Sequence, residues 1–473
     1  MLTALTVLGL MSAGGCAVTG QTHAVATGQQ RAKPRRVFWA WCWSAPAASD
    51  HNLYPMIWVH HADYATPAKI AAETRAIPAG KVALFFWKGA ASLLSSRVDT
   101  CRTAHGRITA FPGPWLLGGA DELGGRLGRF FRRYKAAGGR LNYVVLDYEA
   151  GITCWQISSA GARAIQADPR FTALARRLGF TNMQLIFHAG VARRMWNLLA
   201  GQRVATALNR AFYRPARASF PQVQASNFGG VAMLGLRMAP DVNGHYQLED
   251  CIFGSGQSPA FYGTVGGLAH EIKGGHVYGG SSFAALRYEM MYLQATMRSS
   301  CKPVVPWIGY PEFAHTAYAQ AYYRELIYQL ALRGADRFLY WNPRAWRKNQ
   351  KYMSNGRDDR LLNHCLTVLN NKVGQVPGRV LDTGAVQWNS PLLVAGRVTS
   401  AGYILYRVTV PPGTHGIVAE PGDRQISTRG RVGVWVKSAG SQPLTFTARP
   451  QVRGGGLRGG LLDKRERVLK GSQ

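Results

Sequence analysis

In the run Tyr-Val-Val-Leu-Asp-Tyr-Glu, residues 143–149, an apolar stretch ends in two carboxylates, Asp147 and Glu149. Side chains alternate along a strand, so these two share one side, with Tyr148 opposite. The chain holds only 24 Asp and Glu among 473 residues, and a carboxylate beside an apolar strand is costly to desolvate. The bland explanation is a capping or salt-bridged pair at a strand end. The chemical one is a proton donor: proximity of two carboxyls raises the pKa of one, leaving it protonated at neutral pH beside a charged neighbour. Another carboxylate, Glu312, follows the apolar run Val304–Ile308 in Pro-Trp-Ile-Gly-Tyr-Pro-Glu-Phe. Its ordinary reading is a first-turn helix residue beside Pro311, favoured by the helix dipole.

Aromatic residues crowd the same kind of position. Trp39, Trp41, Trp43, Trp87, Trp307 and Trp341 all fall on or beside apolar runs. Large aromatics fill cores, but they also stack on the flat C–H faces of sugar rings, and Trp43, Trp87 and Trp341 are the ones expected at strand ends. Lys88, Asn342 and Arg344 at those ends could bind hydroxyl or carboxylate groups, and Tyr148 and Tyr310 join them as candidate substrate contacts. The His60-His61-Ala62-Asp63 run reads as an ordinary loop. His270-Glu271-Ile272-Lys273-Gly274-Gly275-His276 lacks the i, i+4 histidine pair of a zinc protease. Gly280–Ala284 lacks the last glycine of a nucleophile elbow, and there is no phosphate-binding GxxxxGK[ST] loop or dinucleotide fingerprint. No metal or cofactor is expected.

Asp-x-Glu at the end of the fourth strand of a barrel resembles the motif of chitinase-like and hyaluronidase-like glycoside hydrolases. The resemblance implies that Glu149 protonates the glycosidic oxygen. Asp147 would orient and polarise an acetamido group of the substrate, which itself attacks the anomeric carbon. Trp155 matches a hyaluronidase-like tryptophan spaced after the motif, with Gly151, Ile152 and Thr153 where that family has Trp-Arg-Pro. Asn227 stands at the strand end nearest to where the family has a tyrosine that helps hold the acetamido group. The chain is also similar to retaining barrel glycosidases, which would make Glu149 the acid/base and Glu312 the nucleophile. Carboxyl separation distinguishes the cases: roughly 5–5.5 Å suits direct displacement and roughly 6.5–9.5 Å suits inversion.

The elements that would position these groups follow from periodicity. Short runs rich in β-branched and aromatic residues alternate with amphipathic segments from Arg36 to about Gln375, the pattern of repeated βα units. Eight strands are expected: Val37–Trp43, Val82–Trp87, Arg107–Phe111, Tyr143–Glu149, Met183–His188, Gln222–Asn227, Pro303–Ile308 and Phe338–Asn342. Helical spacing marks Asp121–Ala137, Arg193–Ala211, Phe283–Met297 and Thr316–Leu332, with Gly138 and Gly334 as C-terminal caps. The expected fold class is α/β, a (β/α)8 TIM-type barrel over residues 37–376. Residues 229–280, rich in glycine, read as an elaborated loop over its mouth. Short alternating stretches separated by Pro/Gly turns predict a small all-β sandwich over 377–449. Residues 17–36 read as a basic linker and 450–473 as a disordered basic tail.

The composition, 47% hydrophobic and 17% charged, excludes a mostly disordered chain. The net charge of +32 favours an anionic partner. Some of that surplus lies at the ends, with four bases in residues 31–36 and seven bases against two acids from Arg449 onward. Residues 1–16 resemble an export signal whose Ala13-Gly14-Gly15-Cys16 is similar to a bacterial lipoprotein box, making Cys16 a lipidation and membrane-tether candidate. The other six cysteines, Cys42, Cys101, Cys154, Cys251, Cys301 and Cys365, would suit three disulfides in an oxidising compartment, or six separate buried thiols. Three functions compete. The first is an exported glycoside hydrolase acting on an acidic or acetamido-containing polysaccharide. The second is a non-catalytic glycan-binding or cell-envelope protein on the same barrel. The third is a nucleic-acid binder, which no recognised nucleic-acid motif supports.

Overall fold

A computed structural model describes residues 37–87, 100–112, 118–147, 163–164, 167–177, 209–229, 268–272, 283, 286–287, 290, 305–309, 317–344, 356–387 and 389–449. The strands run β1 (Trp39–Cys42), β2 (Leu53–Pro55), β3 (Ile57–Val59), β4 (Ala83–Phe86), β5 (Thr100–Arg102), β6 (Ile108–Pro112), β7 (Tyr143–Asp147), β8 (Gln224–Gly229), β9 (Leu268–Ile272), β10 (Val305–Gly309) and β11 (Arg337–Trp341). Nine of them form one sheet in the order β2-β1-β11-β10-β9-β8-β7-β4-β3, and every pairing in it is parallel. The two ends of that order, β2 and β3, are separated in the chain by Met56 alone. Leu53–Pro55 pairs with β1 and Ile57–Val59 with β4.

Period-two alternation sorts the strand residues onto two faces. On one face Trp41, Met56, Ala83, Phe85, Tyr143, Val145, Val305, Trp307 and Leu339 form a single inner cluster. On the other, Val59, Leu84, Phe86, Val144, Leu146 and Ala225 pack with helices α1 (Pro67–Glu73), α2 (Gly118–Ala136) and α4 (Arg214–Ser219). Ala40, Cys42, Ile308, Phe338 and Tyr340 pack with α5 (Ala317–Leu332) and α6 (Gly356–Lys372). Burial on both faces explains why β4 and β10 are continuous apolar runs. Rings far apart in the pairing order meet within the inner cluster: Trp41 stacks on Tyr143 at 4.7 Å, and Phe85 meets Trp307 at 5.6 Å.

Helix α2 ends on Gly138, whose φ of +83° lets the Gly139 N–H reach back to the Tyr134 carbonyl at 2.9 Å. A further helix, α3 (Pro169–Arg177), is tied to β5 by the fully buried Asp168. Its carboxylate accepts from the backbone N–H groups of Arg102 and Arg170 and from the Arg170 guanidinium.

Two expectations are corrected. Arg107–Phe111 is not part of the parallel sheet: it overlaps β6, which pairs antiparallel with β5. The segment 53–59, which was not among the expected strands, joins the sheet, and Pro55 stands near where the pairing changes partner. Within the expected loop 229–280, Leu268–Ile272 is a strand between β8 and β10. The expected strand Met183–His188 lies outside the described residues, and β7 pairs directly with β8. The cysteine expectation also changes. Cys42, Cys101 and Cys365 are buried free thiols, Cys42 on β1 and Cys365 on α6 sharing one apolar layer, and no disulfide joins any two of the described cysteines. Burial pushes the Cys365 thiol up to about 12.

After residue 377 the pairing becomes antiparallel. One sheet has the order β12-β13-β14-β17, from β12 (Gly378–Val380), β13 (Leu393–Thr399), β14 (Ile404–Thr409) and β17 (Gly433–Lys437). The other is β16-β15-β18, from β15 (Gly416–Glu420), β16 (Arg424–Ser427) and β18 (Thr445–Ala448). Ile404, Tyr406, Val408, Val434 and Val436 pack toward Ile417 of the second sheet. Leu393, Ala395, Leu405 and Trp435 pack instead with α5 and α6.

A buried polar seam fastens that second contact. Arg407 pairs in bidentate fashion with Glu325 of α5, both nearly inaccessible, and Thr409 Oγ1 donates to the same carboxylate at 2.8 Å. The guanidinium lies 5.0 Å from the ring centres of both Tyr328 and Trp435. Gln329 Nε2 reaches Thr409 Oγ1 and the carbonyls of Leu393 and Arg407, and Arg333 reaches the Val394 carbonyl. Gly433 is required here, because a Cβ would collide with the Glu325 carboxylate.

Removing one partner of such a pair strands the other charge. Arg407→Ala is therefore expected to lower unfolding stability by about 3–5 kcal/mol, whereas the double replacement Glu325→Leu with Arg407→Met costs much less. Denaturant unfolding of the single and double variants measures this, and equal losses would contradict the desolvation argument.

Candidate active site

The C-terminal ends of the parallel strands gather a group of indoles. Trp43 follows β1, with its N–H on the Tyr340 carbonyl at 2.9 Å. Trp58 lies on β3 and donates its indole N–H to the Trp43 carbonyl at 3.2 Å. Trp87 follows β4, with its N–H on the Val59 carbonyl at 3.1 Å. The Trp43 ring lies 3.7 Å from Trp58, 5.8 Å from Trp87 and 5.8 Å from Trp307, centre to centre, with Phe85 beneath at 5.4 Å. Trp58 and Trp87 are 5.1 Å apart. Trp307 is buried, whereas Trp43, Trp58, Trp87 and Trp341 are half-buried and pack on the inner cluster. Trp58 was not among the expected site residues; its signal was masked by Pro55 three residues before.

Asp147 is the last residue of β7. Phe86 pairs with Leu146, so Trp87 and Asp147 follow at the same level on adjacent strands. Asp147 pairs with Phe228, on the register row that continues through Ala269 to Val305. Tyr143 and Val145, at the alternate positions before it, both belong to the inner cluster.

Asn227 pairs in register with Leu146 of β7. Asn342 is wholly buried and its amide is engaged at both ends. Its oxygen accepts from the Ser44 N–H at 2.8 Å, and its nitrogen donates to Asp359 at 3.1 Å and to the Ser44 carbonyl at 3.3 Å. Arg344 pairs with the other oxygen of the buried Asp359, and its own N–H meets Ser44 Oγ at 3.3 Å. These two residues hold the segment after Trp43 against β11 and α6. Lys88, Tyr148, Glu149, Trp155, Tyr310, Glu312 and Cys16 lie outside the described residues.

The loop after β3 is a turn held by its own carboxylate: Asp63 Oδ2 accepts the His60 N–H at 2.8 Å, and the His61 ring stacks on Tyr64 at 5.2 Å. Among the described residues no three His, Cys, Asp or Glu side chains gather to hold a metal. At the opposite, N-terminal end of the strands, Lys81 covers the inner cluster. Its ammonium sits 2.9 Å from the centre of the Trp39 ring, and its carbonyl accepts the Trp41 indole N–H at 2.6 Å. Burial, aided by the nearby Arg337, brings the Lys81 amine down to about 8.

No family model matches the sequence, and no curated protein matches it. Among solved structures, the chain is similar to the glycoside hydrolase domain of PgaB (BpsB) from Bordetella bronchiseptica, 11% identical with a TM-score of 0.39, covering 71% of this chain and 98% of that one. An endo-β-1,6-glucanase is 8% identical with a TM-score of 0.37, covering 86% and 90%. The endo-1,4-β-D-mannanase of Thermotoga petrophila RKU-1 is 11% identical with a TM-score of 0.29, covering 71% and 99%.

The lowered Lys81 amine has a measurable consequence. Below about pH 8 both folded and unfolded chains carry the proton; above it the folded chain releases the proton first, so the unfolded chain binds more protons and stability rises with pH toward the ordinary lysine range. The Lys81→Met variant is expected to lack this rise in unfolding midpoint between pH 8 and 9.5, and identical slopes in the two proteins would contradict it.

Proposed function

We propose that this chain is an exported glycoside hydrolase that cleaves a polysaccharide at the C-terminal ends of its parallel strands. The observation that carries the reading is the half-buried group Trp43, Trp58 and Trp87, with Trp87 level with Asp147. Aromatic faces suit the C–H faces of a pyranose, and a carboxylate at their edge suits its hydroxyl or acetamido groups.

In this reading the run 53–59 acts as one strand, closing the sheet into an eight-stranded (β/α)8 barrel. The pairing of its two halves with β1 and β4 supports that closure. The Tyr143–Asp147 strand is then the fourth, and active sites of such barrels lie at the C-terminal ends of the strands. Glu149, two residues further on, serves as the general acid, protonating the glycosidic oxygen as the bond to the anomeric carbon breaks. Asp147 orients the reacting sugar, and Glu312 is the alternative partner on the seventh strand. The antiparallel sheets form a sandwich that braces the barrel through the Glu325–Arg407 seam. The positive charge of the chain favours an acidic glycan, and Cys16 would tether the exported protein to a membrane.

The deciding assay is release of reducing ends from neutral, acetamido and acidic polysaccharides. Glu149→Gln is expected to lower the rate by about 10²–10⁴-fold with glycan binding retained. Trp87→Ala is expected to weaken binding by roughly two- to tenfold, the scale of one aromatic contact. No release from any glycan, with binding unchanged in Glu149→Gln, would replace this reading with a non-catalytic glycan-binding protein.

A further inference from the structure

Charge on the outer helices is sorted by position. The sequence has no Asp or Glu from Leu123 to Leu146 or from Pro169 to Pro240, although arginine recurs in both stretches. In helix α2 the acids stand near the start, where Asp121 pairs with Arg210 and Glu122 with Arg126. Arg133 and Lys135 occupy its last turn, Arg217 the last turn of α4, and Arg75 the short 3-10 turn Thr74–Ala76 after α1. Bases at helix C-termini complement the helix dipole. The fold then gathers these ends in one place. The Arg140 guanidinium donates to the carbonyls of Arg75 at 3.2 Å and Ile77 at 2.8 Å, and the Tyr134 hydroxyl donates to the Arg140 carbonyl. The Lys135 ammonium lies 5.9 Å from the centre of the Phe220 ring, just past α4. Backbone bonds from Asn142 to Val82 and from Gln224 to Asn142 tie the same segments to the starts of β4, β7 and β8. The bases therefore form a rim at the N-terminal ends of these strands, opposite the indole group. Arg75, Arg132, Arg133, Lys135 and Arg140 are exposed and Arg217 is half-buried. Across residues 67–76, 118–140 and 209–223 the one acid besides Asp121 and Glu122 is Glu73, and none of the aromatic residues is exposed.

We propose that this basic rim is a docking surface for an anionic phospholipid bilayer, an interaction that does not depend on the hydrolase reading. The bases come from the ends of three helical segments and the turn before β7, so they spread over a rim and no single element carries them. Such a spread suits a flat array of phosphate headgroups, which attracts bases lying within a Debye length of it. A sugar chain or a single-stranded nucleic acid is held through ring stacking as well as charge, and this rim exposes no ring. The exposed large hydrophobic residues, Val37, Ile108 and Val380, all lie off these elements, so the rim has no apolar side chain to insert among lipid tails. Contact is therefore electrostatic and reversible by salt. Docked in this way, the protein holds the N-terminal ends of β4, β7 and β8 against the lipid, and Trp43, Trp58 and Trp87 at the other end face away from it.

The test is sedimentation of the full chain with vesicles of phosphatidylcholine, alone or with phosphatidylglycerol added. The chain carries Cys16→Ser so that no lipid anchor contributes. Binding is expected only with phosphatidylglycerol and is expected to vanish near about 1 M salt, where the Debye length falls to about 3 Å. The triple variant Arg132→Gln, Arg133→Gln and Lys135→Gln is expected to weaken binding by up to roughly a hundredfold, at about fivefold for each base. A control triple, Arg424→Gln, Arg429→Gln and Arg431→Gln, removes the same charge from exposed positions of the antiparallel sheets and is expected to keep binding within a fewfold. Glu73→Lys, which adds a base to the rim, is expected to tighten binding severalfold, a gain that misfolding would not produce. Equal weakening by the two triples would assign the binding to overall charge and overturn the proposal. Binding to phosphatidylcholine alone, or full binding by the rim triple, would overturn it as well. Loss of that triple from a DNA duplex or a sulfated polysaccharide, with vesicle binding intact, would give the rim to a polyanionic chain instead.

Discussion

One short run of chain has to satisfy two neighbours. Between Leu53 and Val59 the backbone hydrogen-bonds to β1 through its first half and to β4 through its second. Alternation continues across Met56 without a slip: Tyr54, Met56 and Trp58 share the inner cluster, while Leu53 and Val59 pack outside. A one-residue shift would exchange these two sets, driving Trp58 away from Trp43 and Trp87. The level of Trp87 beside Asp147 depends on the same register, since β4 hydrogen-bonds to β3 on one edge and β7 on the other. The chemistry proposed for the strand ends thus rests on backbone pairing that begins well away from the carboxylates.

A second constraint lies on the outer side. Helix α5 is apolar almost all round, which follows from its position between the parallel sheet and the first antiparallel sheet. Among its polar groups, Glu325 and Gln329, with Arg333 just past its end, recur every four residues and form one stripe. That stripe meets the backbone carbonyls and the arginine of β13 and β14. Apolar contact alone could slide; directed hydrogen bonds fix the alignment. On the neighbouring helix, Asp359 does similar work for the segment after β1, through Asn342 and Arg344.

Much of this was legible in the residues. Continuous apolar runs identified β4, β10 and β11, and helical spacing with a terminal glycine identified α2 and α5. The carboxylate at the end of β7 was visible because an acid after Tyr-Val-Val-Leu is anomalous. Local pattern failed where an element is stabilised by pairing rather than by composition. Pro55 concealed the strand that carries Trp58, and glycine-rich surroundings concealed the one that carries Glu271. Ile108–Pro112 has strand chemistry in full, but its partner is a hairpin neighbour, a choice that alternation cannot encode. Asn342 and Arg344 were correctly located near a strand end; their role depends on Asp359, which is 15 or more residues away in the chain. The cysteine count likewise cannot distinguish a bridge from the separately packed thiols of Cys42 and Cys365.

The grouping of indoles has an optical consequence. Trp43, Trp58 and Trp87 have ring centres 3.7–5.8 Å apart, and Trp43 reaches Trp307 at 5.8 Å. At such separations the electronic transitions of neighbouring indoles couple, and energy absorbed by one ring migrates to the others. The strand ends therefore carry a built-in chromophore, with an exciton signature in circular dichroism that reports the mutual orientation of these rings without an added label.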